Sequence, residues 1–394
     1  MKRYVHRVIE KELKAAAAEF PVVVLTGPRQ TGKSTLLRKT FPKYDYATFD
    51  DPVTRKFAED DPKSFLARAD RMIIDEIQYL PEILPYIKMS ADENRSAKGR
   101  FLLTGSQYFP LMAGLGESLA GRAALYELLG FSTEEIGVGG RNNNVADPFS
   151  LIFRGFYPEV VAGGADRNRF YSSYLQTYLE RDIRQIASVQ DLRVFQNFLE
   201  LLAARAGALL NLNEIAKECG ISFTSARRWL SLLETTRVVY LLRPYHRNIT
   251  KRVIKSPKVY FTDTGLLAYL LRYPGVAVMR KGPQAGAFFE NFIVAEFLKY
   301  KLNHNRNFEL YFYRDSNKNE IDLLLDFGVS LELLEIKATA TPRPEHFATI
   351  RKMSVELKAG KGYVVALTDR KERAGENLEI LPWTSIVSVM EKHT

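Results

Sequence analysis

The sequence predicts an α/β protein with a doubly wound parallel sheet in residues 1–147, a helical module in 148–275 and a second α/β unit in 276–394. Three observations predict this organisation. Short apolar runs alternate with helix-like stretches in the first part, helical spacing of apolar residues dominates the middle part, and a helix followed by a strand hairpin marks the last part. A chain of 394 residues is long enough for about two or three domains.

Five apolar runs predict the strands of the first unit. They are Val22 to Thr26, Tyr46 to Phe49, Met72 to Asp75, Phe101 to Thr104 and Leu125 to Leu129. The carboxyl ends of parallel strands lie on one edge of a sheet, which is where ligands bind in such folds. The polar residues that follow these runs are therefore expected to meet there.

The first strand is followed at once by GPRQTGKS, which matches the pattern G-x-x-x-x-G-K-[ST]. Gly27 and Gly32 let the backbone turn so that successive N–H groups converge on a phosphate. Lys33 is expected to reach the phosphate oxygens and Ser34 to bind Mg²⁺. The helical run that follows would direct its positive end at the same anion. The residues predicted to bind the nucleotide are Gly27, Pro28, Arg29, Gln30, Thr31, Gly32, Lys33, Ser34 and Thr35.

Polar residues also follow two later strands. Asp75 is expected to bind Mg²⁺, and Glu76 to polarise the attacking water. Ser106, after the fourth strand, would sense the γ-phosphate. Arg122 would supply a guanidinium to the transition-state charge, from its own or a neighbouring subunit of a homo-oligomer, or it is an ordinary surface arginine.

The segments GPRQTGKS, MIIDE, LLTGSQ and LAGR together resemble prokaryotic AAA-type ATPases that carry a C-terminal domain of unknown function. The resemblance covers essentially the whole chain and implies a P-loop NTPase fold that binds ATP. It implies Walker A roles for Lys33 and Ser34, a Walker B pair in Asp75 and Glu76, the first sensor position for Ser106 and the arginine position for Arg122. No second sensor arginine matches.

The middle module combines a helical core with a basic segment. Apolar residues between Asn168 and Leu210 recur at helical spacing, which predicts buried helices. Residues 212–234 have the form of a helix-turn-helix, and 243–258 that of a wing. Residues 221–260 contain nine Lys or Arg and one acid. A winged helix that binds DNA phosphates through 221–260 is therefore predicted. The alternative is an interdomain module whose charges meet acidic surfaces.

Residues 319–337 predict a hairpin that turns at Gly328 and Val329. Its register places Ile321 opposite Ile336 and Leu323 opposite Leu334 on one face. The other face pairs Asp322 with Glu335 and Glu320 with Lys337. Opposed like charges are destabilising, so a cation between Asp322 and Glu335 would relieve a conflict.

Glu290 lies in the apolar arc of a predicted helix and needs a partner. This order of acids resembles the PD-(D/E)xK, or restriction-endonuclease-like, fold. The resemblance implies that Glu290, Asp322 and Glu335 bind Mg²⁺ or Mn²⁺ and that Asp322, Glu335 and Lys337 serve cleavage. A hairpin with a solvated face or a non-cleaving nuclease fold is the alternative.

Composition bounds the remaining possibilities. Cys219 is the single cysteine, which excludes an internal disulfide and a cysteine-rich zinc module. The opening segment becomes charged again too soon for a signal peptide, and no apolar run has the length of a membrane span, so we expect a soluble, cytoplasmic protein. The expected function is Mg²⁺-dependent ATP hydrolysis coupled to DNA binding, with metal-dependent cleavage. The alternative is an ATP-gated switch for DNA or protein partners that does not cleave.

Overall fold

The computed structural model describes residues 4–94, 96–105, 119–138, 147–178, 192–246 and 256–392. The helices in these ranges are α1 (Glu10–Glu19), α2 (Lys33–Thr40), α3 (Pro52–Asp60), α4 (Pro62–Ala67), α5 (Leu84–Glu93), α6 (Pro148–Arg154), α7 (Pro158–Val161), α8 (Arg167–Tyr178), α9 (Leu192–Ala204), α10 (Leu212–Glu218), α11 (Phe223–Thr235), α12 (Thr264–Leu270), α13 (Val276–Lys281), α14 (Ala285–Asn303), α15 (Glu345–Leu357) and α16 (Val387–Glu391). The strands are β1 (Val22–Thr26), β2 (Asp45–Thr48), β3 (Met72–Asp75), β4 (Phe101–Thr104), β5 (Ala123–Glu127), β6 (Val239–Pro244), β7 (Lys258–Phe261), β8 (Glu309–Arg314), β9 (Glu320–Asp326), β10 (Leu331–Lys337), β11 (Lys361–Ala366), β12 (Glu372–Gly375) and β13 (Leu378–Pro382). None of the helices in the described ranges combines the length and apolar composition that a membrane span requires.

The first sheet has five parallel strands in the order β2-β3-β4-β1-β5. Strands β1, β3 and β4 have the predicted bounds. Strand β5 begins and ends two residues earlier than predicted. Leu128 and Leu129 lie in the connection that follows it and are buried there. The predicted α/β class and parallel sheet are confirmed.

The second sheet joins the middle module to the C-terminal unit. It has eight strands in the order β12-β13-β11-β10-β9-β8-β6-β7. Strands β6 and β7 form an antiparallel hairpin, and β6 also pairs in parallel with β8 through Arg243 and Tyr311. One hydrophobic cluster extends from Phe149 to Met390. The two predicted units therefore share a sheet and a core across residue 275.

The helical stripe of the middle module is buried, as predicted. Tyr171, Tyr174, Phe195, Phe198 and Leu202 are each at most 2% exposed. Their burial in the shared cluster is accounted for by helical periodicity, so they form core.

The β9–β10 hairpin has the predicted register over most of its length, with Leu323 opposite Leu334. Gly328 has φ 80°, as the predicted turn requires. The predicted facing of Ile321 and Ile336 is wrong. Strand β9 bulges opposite Phe312, so Ile321 packs with Leu324 in one cluster while Ile336 packs in another.

Candidate active site

The loop between β1 and α2 has the conformation that the glycine pattern predicts. Gly27 has φ 137° and Gly32 has φ 89°, both in the left-handed half of conformational space. A Cβ on Gly27 would lie 2.1 Å from the carbonyl oxygen of Leu128, so only glycine fits. The Lys33 Nζ donates to the carbonyl oxygens of Gly27 at 2.9 Å and Pro28 at 2.8 Å. The lysine therefore lies folded over the loop.

Asp75 collects hydroxyl donors at the carboxyl edge of the sheet. Its Oδ1 accepts from the Ser34 Oγ at 2.8 Å and from the Thr104 hydroxyl, and its Oδ2 accepts from the Tyr46 hydroxyl at 2.7 Å. Burial and the neighbouring Asp75 carboxylate raise the pKa of Tyr46, which keeps this hydroxyl a donor. Sequence reasoning missed Tyr46 and Thr104, because neither belongs to a motif.

Glu76 follows Asp75 in a left-handed backbone conformation, with φ 57° and ψ 46°. Such a conformation costs about 1–2 kcal/mol in a residue with a Cβ and is found where function requires it. Glu76 lines a cavity of about 500 Å³ together with Lys33, Ser34 and Arg29. Thr177 of α8 lines the same cavity. The predicted Walker A and Walker B residues Lys33, Ser34 and Glu76 therefore face one cavity.

A second cavity of about 250 Å³ adjoins the loop. Thr35 and Gly32 line it on the loop side, and Tyr4, Phe131 and Pro158 line the other walls. Its lining is mostly apolar. Its residues come from four separate parts of the chain, so no local sequence pattern indicated it.

Two predicted residues lie away from this geometry. Ser106 lies outside the described residues. Arg122 forms a two-pronged ion pair with Asp92, at 2.7 and 2.9 Å, and its carbonyl oxygen accepts from the N–H of Val22 at the beginning of β1. The phosphate loop lies beyond the other end of β1, about 15 Å away at 3.3 Å per residue. Arg122 therefore lies at the edge of the sheet opposite to the phosphate loop.

Arg7 ties the loop to the segment after β5. Its guanidinium donates to the carbonyl oxygens of Thr31 at 3.1 Å and Leu129 at 2.9 Å, and pairs with Glu135 at 2.9 Å. Both charged side chains are at most 3% exposed. It also lies 4.7 Å from the ring centre of Phe131, which lines the second cavity. The position of this segment is thus fixed relative to the nucleotide loop.

The same segment is held by the rest of the chain. Glu127, at the end of β5, forms a two-pronged pair with Arg237 of the middle module, at 2.5 and 2.9 Å. Glu296 of α14 accepts from the N–H and hydroxyl of Thr133 and pairs with Lys299 at 2.6 Å. Lys299, 1% exposed, also donates to the carbonyl oxygen of Phe131. Both later units therefore contact the ATPase unit beside the nucleotide cavities.

The basic segment is not the single exposed stripe that the sequence predicts. Arg227 and Arg228 are exposed on α11, whereas Arg237 pairs with Glu127, and Lys258 is 3% exposed. The exposed Arg243 pairs with Glu234. Four further basic residues, at positions 247, 251, 252 and 255, lie outside the described residues. Arg237 and Lys258 thus fit the alternative, in which charges of the basic segment meet acidic residues of other units.

The C-terminal carboxylates are brought together, but with lysines between them. The Lys258 Nζ is 3.1 Å from Glu290 and 2.7 Å from Glu320, and the Lys337 Nζ is 2.6 Å from Glu335 and 3.4 Å from Asp322. Glu320 lies opposite Arg314 of β8, and its carboxylate pairs with both Lys258 and Arg314. Burial and the Asp322 charge raise the pKa of Glu335 to about 7, while Lys337 opposes this shift.

The described residues contain no group of three or more acidic, histidine or cysteine side chains arranged to hold a metal ion. Each of the three predicted ligands already pairs with a lysine, Glu290 with Lys258 and both Asp322 and Glu335 with Lys337. The donor set therefore does not fit a divalent metal in this conformation.

Three family models match consecutive parts of the chain. The AAA domain family matches residues 19–137, a domain of unknown function (DUF8612) matches 146–276, and another (DUF4143) matches 285–386. The Walker-type ATPase PABY2304 of Pyrococcus abyssi is 15% identical with a TM-score of 0.41, covering 66% of this chain and 94% of its own. AMPPCP-bound DnaA from Aquifex aeolicus is 13% identical with a TM-score of 0.31, covering 58% and 86%.

Two mycobacterial relatives extend over nearly the whole chain. Uncharacterized protein Rv2008c of Mycobacterium tuberculosis and uncharacterized protein Mb2031c of Mycobacterium bovis are each 31% identical over 380 residues. The match covers 95% of this chain and 83% of each relative. The predicted resemblance to an ATPase with a C-terminal domain of unknown function is confirmed, while the winged helix and nuclease fold stay predictions. The chain therefore belongs to the family of these mycobacterial proteins, as an AAA-type ATPase joined to a C-terminal domain of unknown function.

Proposed function

We propose that the loop between β1 and α2 binds the phosphates of ATP and that Glu76 orients the water that attacks the γ-phosphate. The observation that carries this proposal is the convergence of Lys33, Ser34 and Glu76 on one cavity. Lys33 would leave the carbonyl oxygens of Gly27 and Pro28 to contact phosphate oxygens. The base would enter the adjoining cavity between Tyr4 and Pro158.

The residues of this site fit Mg²⁺. The Ser34 hydroxyl and the Asp75 carboxylate, 2.8 Å apart, are oxygen donors of the kind that Mg²⁺ binds alongside phosphates. Ser34 and Asp75 would hold the ion, which when bound neutralises charge on the phosphates. Tyr46 and Thr104 keep the Asp75 carboxylate in place through their hydroxyls.

The Glu76→Gln variant tests the role of Glu76. An amide keeps the shape of the side chain but cannot take up a proton from water, so we expect the hydrolysis rate to fall by about 10²–10⁴-fold. ATP affinity should stay close to that of the wild type. Phosphate release and fluorescent nucleotide binding measure the two quantities. The exposed Glu82→Gln change is the matched control, and a variant that hydrolyses ATP at the wild-type rate would refute the role.

We further propose that nucleotide occupancy sets how the middle module contacts DNA. Arg237 lies in the turn between α11 and β6, and its pair with Glu127 lies beside Thr26, where the nucleotide loop begins. Thr177 of the same module lines the phosphate cavity. Two contacts therefore link the nucleotide site to the module that presents Arg227 and Arg228.

DNA binding through α11 predicts a salt-dependent contact. The double change Arg227→Ala and Arg228→Ala should weaken binding and make the slope of log K against log salt shallower by about two. The control replaces two exposed arginines of the C-terminal unit, Arg370 and Arg373, by alanine. Fluorescence anisotropy with a labelled duplex, with and without a non-hydrolysable ATP analogue, measures both effects. Equal losses in the two double variants would refute a specific role of α11, and equal affinities with and without the analogue would refute the coupling.

Metal-dependent DNA cleavage is the second candidate, because Glu290, Asp322, Glu335 and Lys337 do converge at one place. The lysines among these carboxylates favour the alternative function, an ATP-gated switch that does not cleave DNA. Incubation with plasmid, ATP and Mg²⁺ or Mn²⁺ distinguishes the two. Nicking that is lost in Asp322→Ala would support cleavage.

A further inference from the structure

Lys258 is a buried lysine at the beginning of β7, the outermost strand of the eight-stranded sheet. It is 3% exposed, and its ammonium group lies 3.1 Å from Glu290 and 2.7 Å from Glu320. Burying an ammonium group is costly unless carboxylates surround it. The carboxylates of the C-terminal unit therefore offset the cost of burying this cation.

The acids come from α14 and β9, whereas Lys258 comes from the hairpin of the middle module. Glu290 also accepts from the Tyr260 hydroxyl at 2.6 Å, and Asp322 accepts from the N–H of Ile336 at 2.8 Å. Burial alone would lower the pKa of Lys258, but Glu290, Asp322 and Glu320 raise it above its ordinary value. The group thus remains an ammonium ion throughout the physiological range.

We propose that Lys258 is a tethered cation that occupies the metal position of the C-terminal carboxylate site and closes this site to divalent metal. The Lys258 ammonium nitrogen lies 3.1 Å from Glu290, one of the predicted ligands, and 2.7 Å from Glu320, so a metal ion bound by Glu290 would have to displace it. Its positive charge also repels any divalent cation that approaches. In this conformation the acids of the cluster are paired with Lys258 and Lys337.

The test is Mn²⁺ binding to the full-length, nucleotide-free protein, measured by electron paramagnetic resonance. Asp322→Asn should leave the amount of Mn²⁺ bound by the otherwise wild-type protein unchanged. Lys258→Met should create one such site per chain, with a Kd at least about tenfold below that of any wild-type site, which corresponds to about 1.4 kcal/mol. Adding Asp322→Asn to Lys258→Met should abolish it. Lys361→Met, which breaks a pair with Glu379 outside the cluster, should behave as the wild type.

Two results would overturn the proposal. One is an Asp322-dependent Mn²⁺ site in the wild type, a measurement that needs no variant at Lys258. The other is a folded Lys258→Met protein that binds no Mn²⁺. If Lys258→Met does not fold, Lys258→Gln replaces it, because a glutamine amide can still donate hydrogen bonds to Glu290 and Glu320. ATP hydrolysis is measured on the same samples, because it shows separately whether the nucleotide site works.

Discussion

Replacing Lys33 by alanine is expected to abolish ATP hydrolysis, with a loss of at least about 100-fold in rate and a large loss of nucleotide affinity. The lysine is the cation of the loop. It is 5% exposed, and its ammonium group donates to the carbonyl oxygens of Gly27 and Pro28. A phosphate that replaces these carbonyl oxygens as the acceptor gains a charge-assisted bond to the lysine. Alanine removes both the charge and the donor.

The matched control is Lys63→Ala, which removes an exposed lysine of α4 in the same unit. Circular dichroism and urea unfolding establish that both variants are folded, and isothermal titration with ATP and Mg²⁺ measures binding. A folded Lys33→Ala protein that retains wild-type affinity and turnover would contradict the placement of the phosphates in the cavity beside Glu76. Lys33→Arg distinguishes the charge of the side chain from its shape. It keeps the positive charge, but a larger planar guanidinium cannot take the same bent path between Gly27 and Pro28.

The conformation of the loop after β1 and the approach of Ser34 to Asp75 were predictable from the sequence, because each depends on a local pattern. Gly27, Lys33 and Ser34 lie within one turn, and strand-end Asp75 reaches Ser34 because parallel strands end on one edge. The hydrogen bonds from the hydroxyls of Tyr46 and Thr104 to Asp75 were not predictable. A single tyrosine or threonine on a strand belongs to no motif that would name its partner.

The rest of the site depends on contacts between distant parts of the chain. Arg237 and Glu127 are 110 residues apart, and Lys258 lies 32 residues before Glu290. Sequence alone gives the charges but not their partners, so the basic segment looked like one exposed stripe. The hairpin register was predictable from its turn and apolar pattern, whereas the bulge at Asp322 was not, since its cause is pairing with β8.

Replacing Lys299 by methionine is expected to cost about 3–5 kcal/mol in the free energy of unfolding, the loss typical of a buried ion pair that loses one partner. Lys299 is 1% exposed and Glu296 is 4% exposed. Methionine fills a similar volume but leaves the Glu296 carboxylate with only its bonds to Thr133. The carbonyl oxygen of Phe131 also loses its donor. Urea unfolding followed by circular dichroism measures the change.

Two control variants test whether the loss comes from the buried ion pair. Lys301→Met removes a lysine of the same helix whose pair with Glu309 lies near the surface, and it should cost less than about 1 kcal/mol. Adding Glu296→Gln to Lys299→Met should restore part of the loss, because the uncompensated charge is gone while the amide still accepts from Thr133. Since Phe131 lines the second cavity, where we propose that the base binds, Lys299→Met should also weaken ATP binding, and Lys301→Met should not. Equal costs for Lys299→Met and Lys301→Met would mean that α14 does not hold the segment after β5, and the link between the C-terminal unit and the nucleotide site would have to run through Arg237 alone.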